Sequence, residues 1–150
     1  MKNSLLLRDL VKGDLEPLLA LYSELHPGDE PIDPARAAGI WSAILTNPDH
    51  ISLGGFVGDE LVTSCTVAIV ANLTRGGRPY AVIENVVTSS ARRRKGYASA
   101  LLWAAIDRCW LRDCYKVMLM SAAGRTEAHL FYESLGFDRR SKQAFVLKRS

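Results

Sequence analysis

Val86-Val87-Thr88-Ser89-Ser90-Ala91-Arg92-Arg93-Arg94-Lys95-Gly96-Tyr97-Ala98 is the stretch from which the rest of the chain can be read. A β-branched run ends in small polar residues, a cationic cluster follows, and a Gly-x-Ala step opens an amphipathic segment. Ala98, Leu101, Leu102, Ala105, Ile106 and Cys109 recur there at helical spacing. The pattern is a strand feeding a helix through a tight basic turn. Such a turn gathers free backbone N–H groups and the positive end of a helix dipole at one point, which favours an anion. With cationic side chains beside them, these amides predict a phosphate-holding turn.

Working outward, the strand into this turn covers residues 80–88, and two more are predicted at 50–57 and 61–72. Gly58-Asp59-Glu60 forms a tight hairpin between the latter two, and the segment from Thr74 to Pro79 a looser turn. Residues 5–10 read as a short first strand. Asp14 is expected to cap a helix running to about His26, with Leu15, Leu18, Leu19 and Tyr22 on one stripe. A loop rich in proline follows, and Asp33-Pro34 supplies a cap and first-turn proline for a second helix through Trp41 to about Leu45. Beyond the basic turn, residues 116–120 are a nearly all-apolar strand of the kind found in a sheet centre. Residues 126–135 form a last helix stopped by Gly136, and residues 144–148 a final strand. The order is β-α-α-β-β-β-α-β-α-β. It predicts an α/β (α+β) fold with a mixed, mostly antiparallel sheet of six to seven strands flanked by about four helices.

At 150 residues, 48% hydrophobic and 23% charged, the chain suits one domain over residues 1–150. No apolar run approaches the ~20 residues of a membrane span, and Arg8 and Asp9 cut short the leucines after Lys2. A cytoplasmic protein without a membrane partner is expected. Cys65, Cys109 and Cys114 lie in apolar segments without CxxC spacing, so they read as reduced, buried thiols rather than metal ligands. A net charge of +3 and a short basic run without interleaved aromatics argue against nucleic acid. His50 and His129 lack metal-ligand spacing, and no metal is expected. Trp41, Trp103 and Trp110 read as core or interface anchors.

Two segments resemble the GCN5-related N-acetyltransferase superfamily. Arg93-Arg94-Lys95-Gly96-Tyr97-Ala98, after the strand Ile83-Glu84-Asn85-Val86-Val87-Thr88, matches its Q/R-x-x-G-x-G/A signature. Glu127-Ala128-His129-Leu130-Phe131-Tyr132-Glu133-Ser134-Leu135-Gly136-Phe137 is similar to its A-x-x-F-Y-x-x-x-G-F helix. The resemblance implies acetyl-coenzyme A as co-substrate. Val86, Val87 and Thr88 would pair with the pantetheine arm as an added strand. The amides of Arg94, Lys95, Gly96, Tyr97, Ala98 and Ser99 would cradle the pyrophosphate, with Arg93 beside them. Phe131 belongs to the same coenzyme-binding set, and Tyr132 would act as general acid toward the leaving thiolate.

Glu84 interrupts an apolar strand, where an unpaired carboxylate would be costly. Alternation places it on one face with Val82 and Val86, and Asn85 on the other. Lining an acceptor cleft, Glu84 would serve as general base, with partial desolvation raising its pKa. Some relatives carry a glutamate base before the last helix; this chain has Met120 and Ser121 there, which shifts weight onto Glu84 or a water. Arg125 replaces an asparagine common in those relatives and is expected to reach a coenzyme phosphate. Glu24, His26, Asp29 and Glu30 give the loop after the first helix an acidic cast suited to a cationic amine. These readings predict an N-acetyltransferase acting on a primary amine of a small molecule or protein, in a ternary complex. A non-catalytic acyl-coenzyme A sensor on the same fold is the alternative, and pairing into a homodimer is open.

Overall fold

The structure is a computed structural model that describes residues 4–150. The chain divides into two compact units, Met1–Met118 and Leu119–Ser150. In the first, β1 (Leu5–Asp9), β2 (His50–Val57), β3 (Glu60–Val70) and β4 (Tyr80–Thr88) pair successively in antiparallel register. β5 (Val117–Leu119) completes a sheet of order β1-β2-β3-β4-β5. The chain leading into β5 is tied to the start of β4. Tyr115 N–H donates to the Pro79 carbonyl, and Ala81 N–H to that of Lys116. β5 is therefore the last strand of the order, half-buried, and not a sheet centre.

Helices α1 (Leu15–Leu25) and α2 (Pro34–Thr46) bury a cluster of Leu10, Leu18, Leu21 and Trp41 with Phe56, Leu61 and Val87 of the sheet. Close packing here depends on Gly54. A Cβ at that position would lie 2.4 Å from Leu10 Cδ2. Helix α3 (Tyr97–Leu111) buries Leu101, Leu102, Ala105, Ile106 and Cys109, the stripe read from the sequence. Trp41 is a core residue whose indole N–H donates to the Lys12 carbonyl, whereas Trp103 and Trp110 are about half exposed on α3. The three cysteines are free and buried. No helix among the described residues is long and apolar enough to cross a membrane.

Asp33 caps α2 as expected, accepting from Arg36 N–H at 2.9 Å with Pro34 following. Asp14 does not cap α1. Its carboxylate turns back to accept from Val11 N–H at 2.7 Å and from both terminal nitrogens of Arg8, whose guanidinium lies 3.9 Å from the centre of the Phe56 ring. A charged partner within reach outcompetes the helix amides.

In the second unit, α4 (Thr126–Ser134) runs to Gly136, whose φ of 96° ends it as read. Leu135 is buried, and Tyr132 packs against Phe131 in a tilted pair and against Phe137 edge to face, at ring-centre separations of 5.3 and 6.2 Å. Residues 144–148 form no strand. They run in irregular conformation with Phe145, Val146 and Leu147 exposed. An apolar run becomes a strand only where an edge accepts its backbone, so among the described residues the sheet has five strands instead of six to seven.

Candidate active site

At the end of β4 the chain makes a single 3-10 turn at Ser90–Arg92 and then twice enters the left-handed region, at Arg94 (φ 61°) and Gly96 (φ 78°). Left-handed residues in a tight turn bring successive N–H groups toward one concavity, a geometry suited to anions. Gly96 is the N-cap of α3 and no side chain caps the helix; the first amide to bond back is that of Ala100, to the Gly96 carbonyl at 3.1 Å. The N–H groups of Tyr97, Ala98 and Ser99 thus have no intrahelical acceptor. Beyond its immediate chain neighbours, no atom of the described residues lies within 4 Å of where a Gly96 Cβ would stand. Glycine is required here by the backbone conformation, not by crowding from the protein.

The cations of this turn have different tasks. Arg92 pairs with Glu60 of β3, and Arg93 donates from Nε to the Thr88 carbonyl at 3.4 Å, so both hold the turn to the sheet. Arg94 and Lys95 are exposed, without an ion pair among the described residues. Glu24 is also structural. Lying in α1, it accepts from Ser90 N–H at 3.0 Å and Ser90 Oγ at 2.7 Å, and these bonds hold its carboxyl below the usual range. That removes it from the acidic loop proposed to attract an amine. A hollow beside Ser89, lined by Glu24, Asp59 and Glu60, carries carboxylates and does not suit a diphosphate.

β4 is not a regular strand. Thr66 stands opposite Glu84 and Ser64 opposite Val87, so Cys65 alone faces the two residues Asn85 and Val86. This is a one-residue bulge, and Asn85 occupies it with φ 53°. The bulge corrects the face assignment. Thr66 and Ser64 share a face of β3, so Glu84 shares its face with Val82 and Val87, not with Val86. Since Val87 belongs to the cluster under α1 and α2, Glu84 lies on that side of the sheet. The residue is exposed, so the desolvation expected for it is not present. Thr66 Oγ1 donates to the Glu84 carbonyl and Thr63 Oγ1 to that of Val87, each at 3.0 Å, pinning the strand on both sides of the bulge. Thr63 and Thr88 hydroxyls bond each other at 2.9 Å.

Residue-by-residue reading of β4 missed the bulge and with it the left-handed conformation of Asn85. The available signal was the residue type: asparagine is among the few that tolerate a left-handed conformation. In the second unit, Arg125 is the N-cap residue of α4, exposed, its carbonyl accepting from His129 N–H. Tyr132 and Phe131 are half-buried neighbours on that helix. His129 is half-buried and bonds the Ala122 carbonyl through its ring. Among the described residues, no group of acidic, histidine or cysteine side chains is placed to hold a metal.

A search with family models matches the Acetyltransferase (GNAT) family over residues 15–137. A glucosamine 6-phosphate N-acetyltransferase of Trypanosoma brucei brucei is 33% identical over 111 residues, which are 74% of this chain and 68% of that one. A solved structure from Agrobacterium tumefaciens str. C58, assigned to the acetyltransferases, superimposes with a TM-score of 0.92 at 39% identity, over 96% of this chain and 99% of that one. An aminoglycoside N-acetyltransferase solved in complex with coenzyme A has the same fold, with a TM-score of 0.81 at 19% identity, over 98% of this chain and 96% of that one. The chain therefore belongs to the GNAT family of acetyltransferases.

Proposed function

We propose that this acetyltransferase takes its acetyl group from acetyl-coenzyme A and passes it directly to a primary amine. The observation that carries the reading is the uncapped start of α3 with left-handed Arg94 and Gly96 before it. Its free amides and the exposed Arg94 and Lys95 suit the pyrophosphate. The backbone of Val86, Val87 and Thr88, at the end of β4, suits the amide-bearing pantetheine arm. Phe131 and Arg125 would contribute to the same ligand, Arg125 toward a phosphate.

In the transfer, the amine nitrogen bonds to the thioester carbonyl carbon and the C–S bond breaks. Glu84 takes the proton of the ammonium, directly or through one water, and Tyr132 gives its phenolic proton to the departing thiolate. The Val87 amide would polarise the carbonyl oxygen. Exposure leaves Glu84 open to an acceptor entering from the α1 side of the sheet. The named activity of the trypanosomal relative makes an amino sugar phosphate the first acceptor to try.

The test is a panel of amines, including glucosamine 6-phosphate and aminoglycosides, assayed by release of free thiol. Glu84→Gln should lower turnover at neutral pH by about a hundredfold, the usual scale for a lost general base, while coenzyme A affinity stays within a small factor. Tyr132→Phe should likewise lower turnover far more than affinity. Equal losses in turnover and affinity would remove the assigned role, and coenzyme binding without turnover on any amine would make the protein a sensor.

A further inference from the structure

Two polar atoms at the start of β2, His50 Nε2 and Ser52 Oγ, are shut off from solvent and have no hydrogen-bond partner among the described residues. They belong to alternate residues of the strand and so share one of its faces. Ser52 is only 6% exposed. The neighbouring hydroxyls show the contrast. Ser64 Oγ donates to the Leu53 carbonyl and Thr66 Oγ1 to that of Glu84, each at 3.0 Å. A buried polar group left unpaired is costly, and in a native fold it calls for a reason.

Both residues line a hollow of about 200 Å³, where the ends of β1 and α2 meet the start of β2. A cavity of roughly 150 Å³ already holds a benzene-sized molecule, so the space exceeds what one water needs. Leu10, Ile44 and Leu45 give it an apolar wall, and Asp9 and Arg108 stand at its side. The Arg108 guanidinium gives both terminal nitrogens to the two Asp9 oxygens, so neither sign of ligand charge finds an unmatched partner there. Burial pushes the His50 imidazole down, and the ring is neutral at physiological pH. A neutral imidazole nitrogen donates or accepts according to tautomer, and a serine hydroxyl does both. The group that answers this pair in either tautomer is another hydroxyl. The hollow is also remote from the basic turn. His50 stands opposite Ala68 of β3, whereas Thr88 stands opposite Thr63, about 17 Å away along the strand.

We propose that this hollow is a second binding site, for a small uncharged molecule with an apolar body and neighbouring hydroxyl groups, its polar end held by His50 Nε2 and Ser52 Oγ. The apolar body lies against Leu10, Ile44 and Leu45. The site uses no residue placed in acetyl transfer. Its failure would leave the reading of acetyl-coenzyme A as it stands, and a failed amine panel would leave this site as it stands.

The probe is the vicinal diol of cyclohexane, titrated into the whole protein while backbone amide signals are followed by NMR. The reporters are Ser52 and Leu10, whose N–H donates to the Ser52 carbonyl. Both should shift saturably, with half-saturation on the order of millimolar, as befits so small a ligand. Cyclohexanol bearing an adjacent carboxylate or ammonium group in place of the second hydroxyl should bind about tenfold more weakly, because the site offers no free charge to offset desolvation. Ser52→Ala and His50→Phe should each weaken the diol by about fivefold, one neutral hydrogen bond. The amide signals of α1 should stay in place in both variants, as the sign of an intact fold. If one variant does not fold, the other and the comparison of the three probes on the wild type still decide. Absence of a saturable shift at Ser52 and Leu10 would mean a hollow for water only and would overturn the proposal. So would equal binding of the charged probes, or diol affinity unchanged in the variants. A fall in affinity accompanied by displaced α1 signals would assign the two side chains to structure alone and overturn it as well.

Discussion

Asp14 shows how one side chain can be diverted from the role its position suggests. It stands just before α1, where an aspartate ordinarily caps, yet it closes the preceding turn through Val11 N–H and receives a two-pronged bond from Arg8. The Arg8 hydrogen bonds, foremost, and the Val11 N–H hold its carboxyl below the usual range against the opposing effect of burial. A depressed folded-state pKa contributes stability that is full above the unfolded value near 3.9 and disappears as pH falls through the folded one. Asp14→Ala should therefore cost about 2 kcal/mol at pH 7, the scale of charged hydrogen bonds in a partly buried site. The gap from wild type should narrow below about pH 4. Urea unfolding of both proteins at pH 7 and pH 3 checks this. Arg8 is more exposed than Asp14, so its own replacement should cost less.

Among the elements, α3 combines a firmly buried body with an unfinished start. Its core-facing stripe has essentially no exposure, while its first turn lacks any side-chain cap. An N-terminal cap is ordinarily worth about 1 kcal/mol, so the helix forgoes stability at the end where a ligand would supply acceptors. Gly96→Val should weaken coenzyme A binding by about tenfold or more, because a β-branched residue is strained at φ 78°. Gly96→Ala should fall between, since the protein itself leaves room for the methyl group. Calorimetric titration of the three proteins orders them. Similar affinities in all three would show that the left-handed cap is dispensable.

Over the whole molecule, local signals were read well and pairings less so. The limits of β2 and β4 coincide with the sequence reading, as do the Asp33-Pro34 start of α2 and the Gly136 stop of α4, each set by neighbouring residues. What could not be read depends on distant backbone. Residues 116–120 are as apolar as a central strand, but only the order of pairing shows that β5 comes last. Residues 144–148 have strand-like composition, but no ladder receives them. The bulge at Asn85 escaped because counting alternate residues assumes that each has one partner across the strand. At the site, the basic turn was legible because its residues are contiguous. The Glu24–Ser90 bonds were not, because they join α1 to a turn distant in sequence.

The thiols of the core have a practical consequence. Burial drives Cys65 up to about 12 and Cys109 up to about 11, and raises Cys114 as well, so almost no thiolate is present at neutral pH. Native protein should accordingly leave Ellman's reagent almost uncoloured over minutes and react fully, through all three cysteines, once unfolded in guanidinium. A fast reaction of the native protein would contradict the burial. With a silent background, and with acetyl-coenzyme A as the proposed donor, every yellow anion released in an assay mixture would report a coenzyme A set free, so that turnover could be followed continuously on the unmodified protein.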